Sequence, residues 1–596
     1  FSPGGIKEGI TDTQATLKGT PHVSGKNVTL TASGGKTGEN ASGIGHKENG
    51  QQIDLSVGNL NNLTAQELLA LAAAERGDFH VKGNTVTVSS IHSIEANAGG
   101  ILTAKADKGA IYLQSAGAVN AGSSLTAAGE VRLKAKGNVN GVTIGSSEQT
   151  VIESGAGKIS DVTVTGTGVL TARAKDGVSL KKSDGDLVIN TVYASEGDVH
   201  LDVGENSLLA EDGHDTSGDE TGTTYTNVEG ENITIANAKN IKGASDGASL
   251  GMKVTGTKAK DGSETPGVIT AKAAGNADIT LFGDAASDAI DIEAEDLTLT
   301  SRGNISNGSY KAGNALRVYN AKGGTITGGT FKGADTTLTN EADLSGAKIE
   351  GTETLTVKNA ASIQNATLTG GAATVDNHGK GSVMKDVTLT GSAITLTNEG
   401  TVKNGTYTAE TGAMTITNSG KLSSGTYTAK AGTMGITNEG TIENGTFTAG
   451  GALTYDGSAD STVTETTMTG ASVDITNAGT LTNGSYTAET GAMGITNEGT
   501  IKNGTFTARG DLTYTDSENA SLSGSDFTSE EGNVKVTAKG QLALKKLSAK
   551  KSATVDADHD VTLNEAEAGK LAISSGGSVN AGTLTAKTGD ASVTAK

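Results

Sequence analysis

The chain has 596 residues, of which 86 are glycine and only 3 proline; it has no cysteine and no tryptophan, and its formal net charge is −21. The missing cysteine excludes disulfides and thiolate metal sites, and the acidic balance argues against a nucleic-acid binder, which needs a basic stripe. Collagen is excluded by the scarce proline and the absent Gly-X-Y period, and disorder is disfavoured because β-branched residues alternate with polar ones nearly throughout.

No stretch reaches the roughly eighteen apolar residues of a membrane-spanning helix, and no signal peptide precedes Phe1. Near the start, Thr64-Ala65-Gln66-Glu67 makes a capping box, Leu68, Leu69, Leu71 and Ala72 give an apolar stripe, and Gly77 closes it, which predicts a helix over about 64–76. Gly109-Ala110-Ile111-Tyr112-Leu113 returns twenty residues later as Gly129-Glu130-Val131-Arg132-Leu133, and Gly117-Ala118-Val119-Asn120 returns as Gly137-Asn138-Val139-Asn140. Residues 1–300 therefore read as irregular coils with insertions, the second insertion being an acidic, glycine-containing exposed loop at about 211–224.

From 301 to 529 the period is regular: Asn320, Asn340, Asn359, Asn377, Asn398, Asn418, Asn438, Asn477 and Asn497 recur at 18 to 21 residues, or once at about double that. Aligning on them stacks Val402, Leu422, Ile442, Leu481 and Ile501 into one column, continued upstream by Ile305, Ile326, Leu344 and Ile363. Tyr407, Tyr427, Phe447, Tyr486 and Phe506 form a second column, with Tyr310, Phe331, Ile349, Leu368, Met468 and Phe527. Met414 with Ile416, Met434 with Ile436, and Met493 with Ile495 form a third. Between the first two columns lies a turn, Asn404-Gly405, Ser424-Gly425, Asn444-Gly445, Asn483-Gly484 and Asn503-Gly504, where Asn-Gly supplies positive φ at low cost. Strands this short cannot pair within a coil, so each must pair with its copy one turn on. The expected fold is all-β, a right-handed parallel β-helix of about twenty-residue coils. Residues 530–596 continue the coils and stop in half a repeat, which reads as a fragment of something longer.

The aromatic column reads as a core layer, since aliphatic residues replace it freely. The Asn column, notably Asn398, Asn418, Asn438, Asn477 and Asn497, reads as an internal amide ladder.

The phrasing of 109–120 and 129–140, with Gly532-Asn533-Val534-Lys535-Val536-Thr537-Ala538-Lys539-Gly540 and Gly577-Ser578-Val579-Asn580-Ala581-Gly582, resembles the haemagglutinin repeats of filamentous-haemagglutinin-like exoproteins. That resemblance implies a Gram-negative extracellular or cell-surface fibre of two-partner secretion, exported through an outer-membrane barrel and used in adhesion, biofilm or virulence. Its implied partners are host or bacterial surface glycans or proteins, with end-to-end or lateral self-association open to it. The Asn-Gly-Thr-Tyr/Phe coils depart from the usual repeat wording, so a one-chain autotransporter or another giant adhesin carries the same pattern.

The same fold also houses polysaccharide lyases and hydrolases, which need carboxylates converging on one face. The candidates are Asp184 with Asp186, Asp284 with Asp288 and Asp291, and Asp556, Asp558 and Asp560 beside His559, none of which recurs in neighbouring coils; no catalytic or cofactor-binding residue is assigned. Calcium is a further alternative, with Glu211, Asp212, Asp215, Asp219 and Glu220 in one loop, although no EF-hand spacing or glycine-aspartate nonapeptide is present. Basic spots at Lys181-Lys182, Lys545-Lys546 and Lys550-Lys551 read as lysines facing out, and Asn404, Asn444, Asn483 and Asn503 stand in Asn-x-Ser/Thr sequences whose asparagines the turn already explains. Threonine columns evoke ice-binding solenoids, but in the sequence they alternate with Lys, Glu and Asp and fall on several faces. The reading is thus a non-enzymatic adhesin shaft, with a carbohydrate-active enzyme or a calcium-stiffened filament as the alternatives.

Overall fold

The computed structural model describes residues 23–31, 81–90, 94–106, 110–115, 117–211, 214–215, 226–245, 248–259, 261–282, 285–286 and 290–596. The chain falls into two compact units, Phe1–Gly313 and Asn314–Lys596. Each is a parallel β-solenoid, as the twenty-residue period requires, and no helix occurs among the described residues. The helix expected over 64–76 lies outside them.

In the second unit the coil is built from three short strands. The coil at 401–418 has strands Thr401–Lys403, Thr406–Ala409 and Met414–Asn418, which form three outer faces, here called first, second and third in that order. Each strand pairs in parallel, in register, with its copy in the next coil: Val402 with Leu422, Tyr407 with Tyr427, Met414 with Met434. Because side chains alternate across a strand, Val402, Tyr407, Ala409, Met414, Ile416 and Asn418 point inward and are buried. The intervening Thr406, Thr415 and Thr417 are exposed.

Earlier coils of this unit run the second and third strands together, as in Thr330–Asn340, Lys348–Asn359, Thr367–Asn377 and Thr388–Asn398. Glycine at the bend, Gly333, Gly351, Gly370 and Gly391, replaces the longer corner seen at 410–413.

The first unit builds coils from the same alternation with less regular corners. Ile111 pairs with Val131, and Val178, Val199, Ile233 and Ile269 stack in succession as one buried column. Its insertions leave the coil as antiparallel pairs: Thr257–Lys258 with Glu264–Thr265, and His214–Asp215 against Ala248–Ser249. The segment read as a loop at 211–224 thus includes a two-residue strand.

Candidate functional site: internal ladders and outer faces

An asparagine at the inward end of each third-face strand has one amide oxygen and two N–H donors to satisfy without water. The stacked coils provide for them. Nδ2 of Asn320, Asn340, Asn359, Asn377, Asn398 and Asn418 donates to Oδ1 of the asparagine in the next coil at 2.7 to 2.8 Å, ending on Asn438. The second hydrogen reaches nearby backbone carbonyls, such as Lys421 O for Asn398 at 3.3 Å and Thr441 O for Asn418 at 3.2 Å. All these amides are fully buried.

The ladder breaks where the repeat wording changes. At the position of Asn, the coil after Asn438 has Gly457, and the hydroxyl of its Tyr455 lies 3.4 Å from Asn438 Nδ2. The ladder resumes with Asn477 to Asn497 at 2.8 Å. Asn497 then donates to the hydroxyl of Tyr514 at 3.1 Å, and Tyr514 donates to Asp516 Oδ2 at 2.9 Å. Asp516 Oδ1 accepts the backbone N–H groups of Lys539 and Gly540, the latter at 3.1 Å. The first rung of each run, Asn320 and Asn477, keeps an Oδ1 with no partner. Tyr455, Gly457, Tyr514 and Asp516 were not foreseen as ladder residues; the signal was the replacement of Ile-Thr-Asn by Tyr-Asp-Gly and Tyr-Thr-Asp.

The aromatic column stacks face to face. Ring centroids of Tyr407 and Tyr427 are 5.0 Å apart at 9°, those of Tyr427 and Phe447 4.7 Å at 5°, and those of Tyr486 and Phe506 4.7 Å at 9°. The hydroxyls of Tyr407, Tyr427 and Tyr486 are buried with no hydrogen-bond partner, and burial pushes all three phenols up from their ordinary value.

The turn before this column takes its positive φ within the Asn-Gly or Ser-Gly pair, as the sequence suggests. Positive φ falls on the first residue, Asn404, Ser424, Asn444, Asn483 and Asn503, at 53° to 55°. The glycine that follows has ordinary φ and is required instead by the ring two residues later: a Cβ on Gly445 would lie 2.7 Å from Cε2 of Phe447.

The candidate acids are dispersed. Partial burial opposes ionisation of Asp184, but the Gly166 N–H and the Lys182 ammonium outweigh it and hold the carboxyl below its usual range. Asp186 accepts the N–H of Ser207 at 2.9 Å. Asp291 lies 3.8 Å from Lys272 Nζ, while Asp284 and Asp288 fall outside the described residues. Asp556, Asp558, His559 and Asp560 are exposed, and Asp560 accepts both the N–H and the hydroxyl of Ser578, at 2.7 and 2.8 Å.

Of the calcium candidates, Asp212, Asp219 and Glu220 lie outside the described residues and Asp215 sits in the two-residue strand. Among the described residues no group of three or more His, Asp or Glu is gathered as a metal site.

The basic spot at 181–182 is corrected by strand alternation. Lys181 faces out, 3.7 Å from Asp202, but Lys182 faces into the coil with its side chain 1 % exposed and reaches Gly166 O and, at 3.1 Å, Asp184. Lys545, Lys546, Lys550 and Lys551 are exposed.

The first unit also carries an open depression of about 590 Å³ floored by Ala236, Ala238, Ala273 and Ala294, with Lys272 and Glu293 paired at 3.5 Å on its rim. No family model, no curated protein and no solved structure matches the chain.

Proposed function

We propose that this chain is shaft material of a secreted or surface-anchored bacterial adhesin, which projects and presents binding sites for attachment between cells or to surfaces. The observation that supports this reading is the coil-on-coil register of the second unit, in which most of the buried asparagine amides bond to, and the aromatic rings stack on, their counterparts in neighbouring coils. A repeat that spends its buried chemistry on its neighbours is suited to span distance, and each coil depends on the next for stability.

On this reading the chain is extracellular or at the cell surface, passes an outer-membrane barrel during export, and has no enzymatic activity or obligatory cofactor. The resemblance to haemagglutinin repeats points the same way. The test is binding of the purified chain to a panel of glycans, matrix proteins and cells, with each soluble glycan recovered and checked for cleavage. Saturable binding without cleavage makes the segment adhesive, and absence of both leaves a spacer. Cleavage overturns the reading in favour of a carbohydrate-active enzyme, and a melting temperature that rises with calcium and falls with chelator favours a calcium-stiffened filament.

A further inference from the structure

The outer side of the second face carries two parallel columns of threonine. Thr367, Thr388, Thr406, Thr426, Thr446, Thr467, Ser485 and Thr505 pair in register in eight consecutive coils. Two residues on, Thr369, Thr390, Thr408, Thr428, Thr448, Thr469, Thr487 and Thr507 do the same. All sixteen side chains are exposed or half-buried. Threonine falls on all three faces, but Lys421 and Glu443 interrupt its columns on the first and Asp456 and Asp474 those on the third, whereas on the second face charge stands only in the flanking corners, as at Glu410, Lys430, Glu489 and Arg509.

Lys385, Lys403, Glu443 and Lys502 lie on the first face, and Asp376, Asp456 and Asp474 on the third. Within the eight coils the two threonine columns hold no charge, in a chain of net charge −21. Charge returns only at their ends, with Lys348 and Glu350 on one side and Asp526 on the other.

Neighbouring coils are about 4.8 Å apart and residues i and i+2 about 6.6 Å apart along a parallel strand, so the hydroxyls and methyls form a two-dimensional grid. Threonine is stiff at χ1, which fixes both groups. The grid is backed by side chains with no exposure, from Leu368 and Leu389 through the stacked Tyr407, Tyr427 and Phe447 to Tyr486 and Phe506.

We propose that this face binds ice. The ligand that a repeating, rigid, uncharged grid recognises is one with its own lattice, and the two spacings lie close to oxygen repeats on the surface of an ice crystal. Sugars are the poorer fit, because their recognition draws on aromatic platforms, and every aromatic ring under this face points inward. The inference stands apart from the shaft reading and does not depend on it.

The test is incorporation of the fluorescently labelled full chain into a slowly growing ice hemisphere, together with crystal shape in its solution. The chain is expected to enter the ice and to facet the crystals. The double variant Thr426→Lys and Thr446→Lys is expected to be excluded, while Thr415→Lys with Thr417→Lys, on the third face of one coil, enters as the parent does. All three should show the same circular dichroism and melting, since every substituted site is exposed. Exclusion of the parent chain from ice overturns the proposal, as does undiminished entry of the second-face variant. Self-association of the parent that the second-face variant loses, without ice entry, also overturns it and makes the face an interface between copies.

Discussion

A methyl group placed on Gly425 would stand 2.8 Å from both Cε2 and the hydroxyl oxygen of Tyr427, so the ring dictates the glycine two positions before it. In the second unit glycine stands two positions before Phe331, Tyr407, Tyr427, Phe447, Tyr486 and Phe506, whereas Ala347, Ala366, Val387 and Thr466 stand there before Ile349, Leu368, Leu389 and Met468. Ser525 before Phe527 departs from this pattern, and there the ring is turned to 89° against Phe506.

Gly425→Ala should therefore overpack its coil and lower stability by about 1–3 kcal/mol. Adding Tyr427→Leu, which reproduces the native Ala366 and Leu368 pairing, should recover part of that loss. Amide hydrogen exchange of the strands at 406–409, 426–429 and 446–449 reads the effect, and a loss in the double variant equal to the sum of the two single-variant losses would contradict the coupling.

The buried hydroxyls of Tyr407, Tyr427 and Tyr486 gain nothing visible for their desolvation. Phenylalanine already fills the same column at Phe447 and Phe506. Tyr427→Phe should accordingly be neutral or stabilising by up to about 1–2 kcal/mol, the cost of an unsatisfied buried group.

The same phenols fix a pH dependence. Burial raises their folded pKa above that of the unfolded chain, so the folded state holds these protons more tightly. Their contribution is fully present below the unfolded value of about 10 and is lost as pH rises through the folded value, at about 1.4 kcal/mol per pH unit for each tyrosine. Denaturant unfolding between neutral and strongly alkaline pH should show this loss, and the triple variant Tyr407→Phe, Tyr427→Phe and Tyr486→Phe should flatten it. A parent chain insensitive to that range would contradict the buried state of these rings.

The turn position offers a stabilising change. Glu465 adopts φ of 52° where most other coils of this column place Asn or Gly, and a left-handed residue with a full side chain is disfavoured by about 1–2 kcal/mol. Glu465→Asn should raise the melting temperature, and since the side chain is exposed it should do so without disturbing Met468 below. A lower melting temperature would mean that Glu465 makes a compensating contact.

The twenty-residue period, the three inward columns and the parallel stacking could be read from sequence because copies of one coil restate the same positions, so that each column is sampled many times. Features that depend on a single coil were less legible. Lys182 belongs to a strand whose alternation turns it inward, and nothing in the Lys181-Lys182 pair says which lysine that is. That the positive φ sits on Asn404 while Gly405 is required by the ring of Tyr407, two residues further on, is not legible in the Asn-Gly pair alone. That the second-face threonine columns alone are unbroken by charge required knowing where the corners fall, since a corner of four residues, as at 410–413, carries the next strand to a new face.

The interruption of the asparagine ladder can be repaired by design. Third-face strands that end in asparagine on either side of the break read Ile436-Thr437-Asn438 and Ile475-Thr476-Asn477, whereas the coil between reads Tyr455-Asp456-Gly457. A Cβ on Gly457 would lie 2.5 Å from the hydroxyl of Tyr455, so the tyrosine occupies the room that the amide would need. Gly457→Asn alone should therefore destabilise its coil. Gly457→Asn with Tyr455→Ile should place an amide between Asn438 and Asn477, giving Asn438 Nδ2 an amide acceptor in place of the Tyr455 hydroxyl and the orphaned Asn477 Oδ1 a donor. Satisfying a buried acceptor is worth about 1–3 kcal/mol, and the double variant should exceed the parent in hydrogen-exchange protection of residues 434–438 and 473–477. Protection no greater than in the parent would mean that the tyrosine hydroxyl already serves the ladder as well as an amide does.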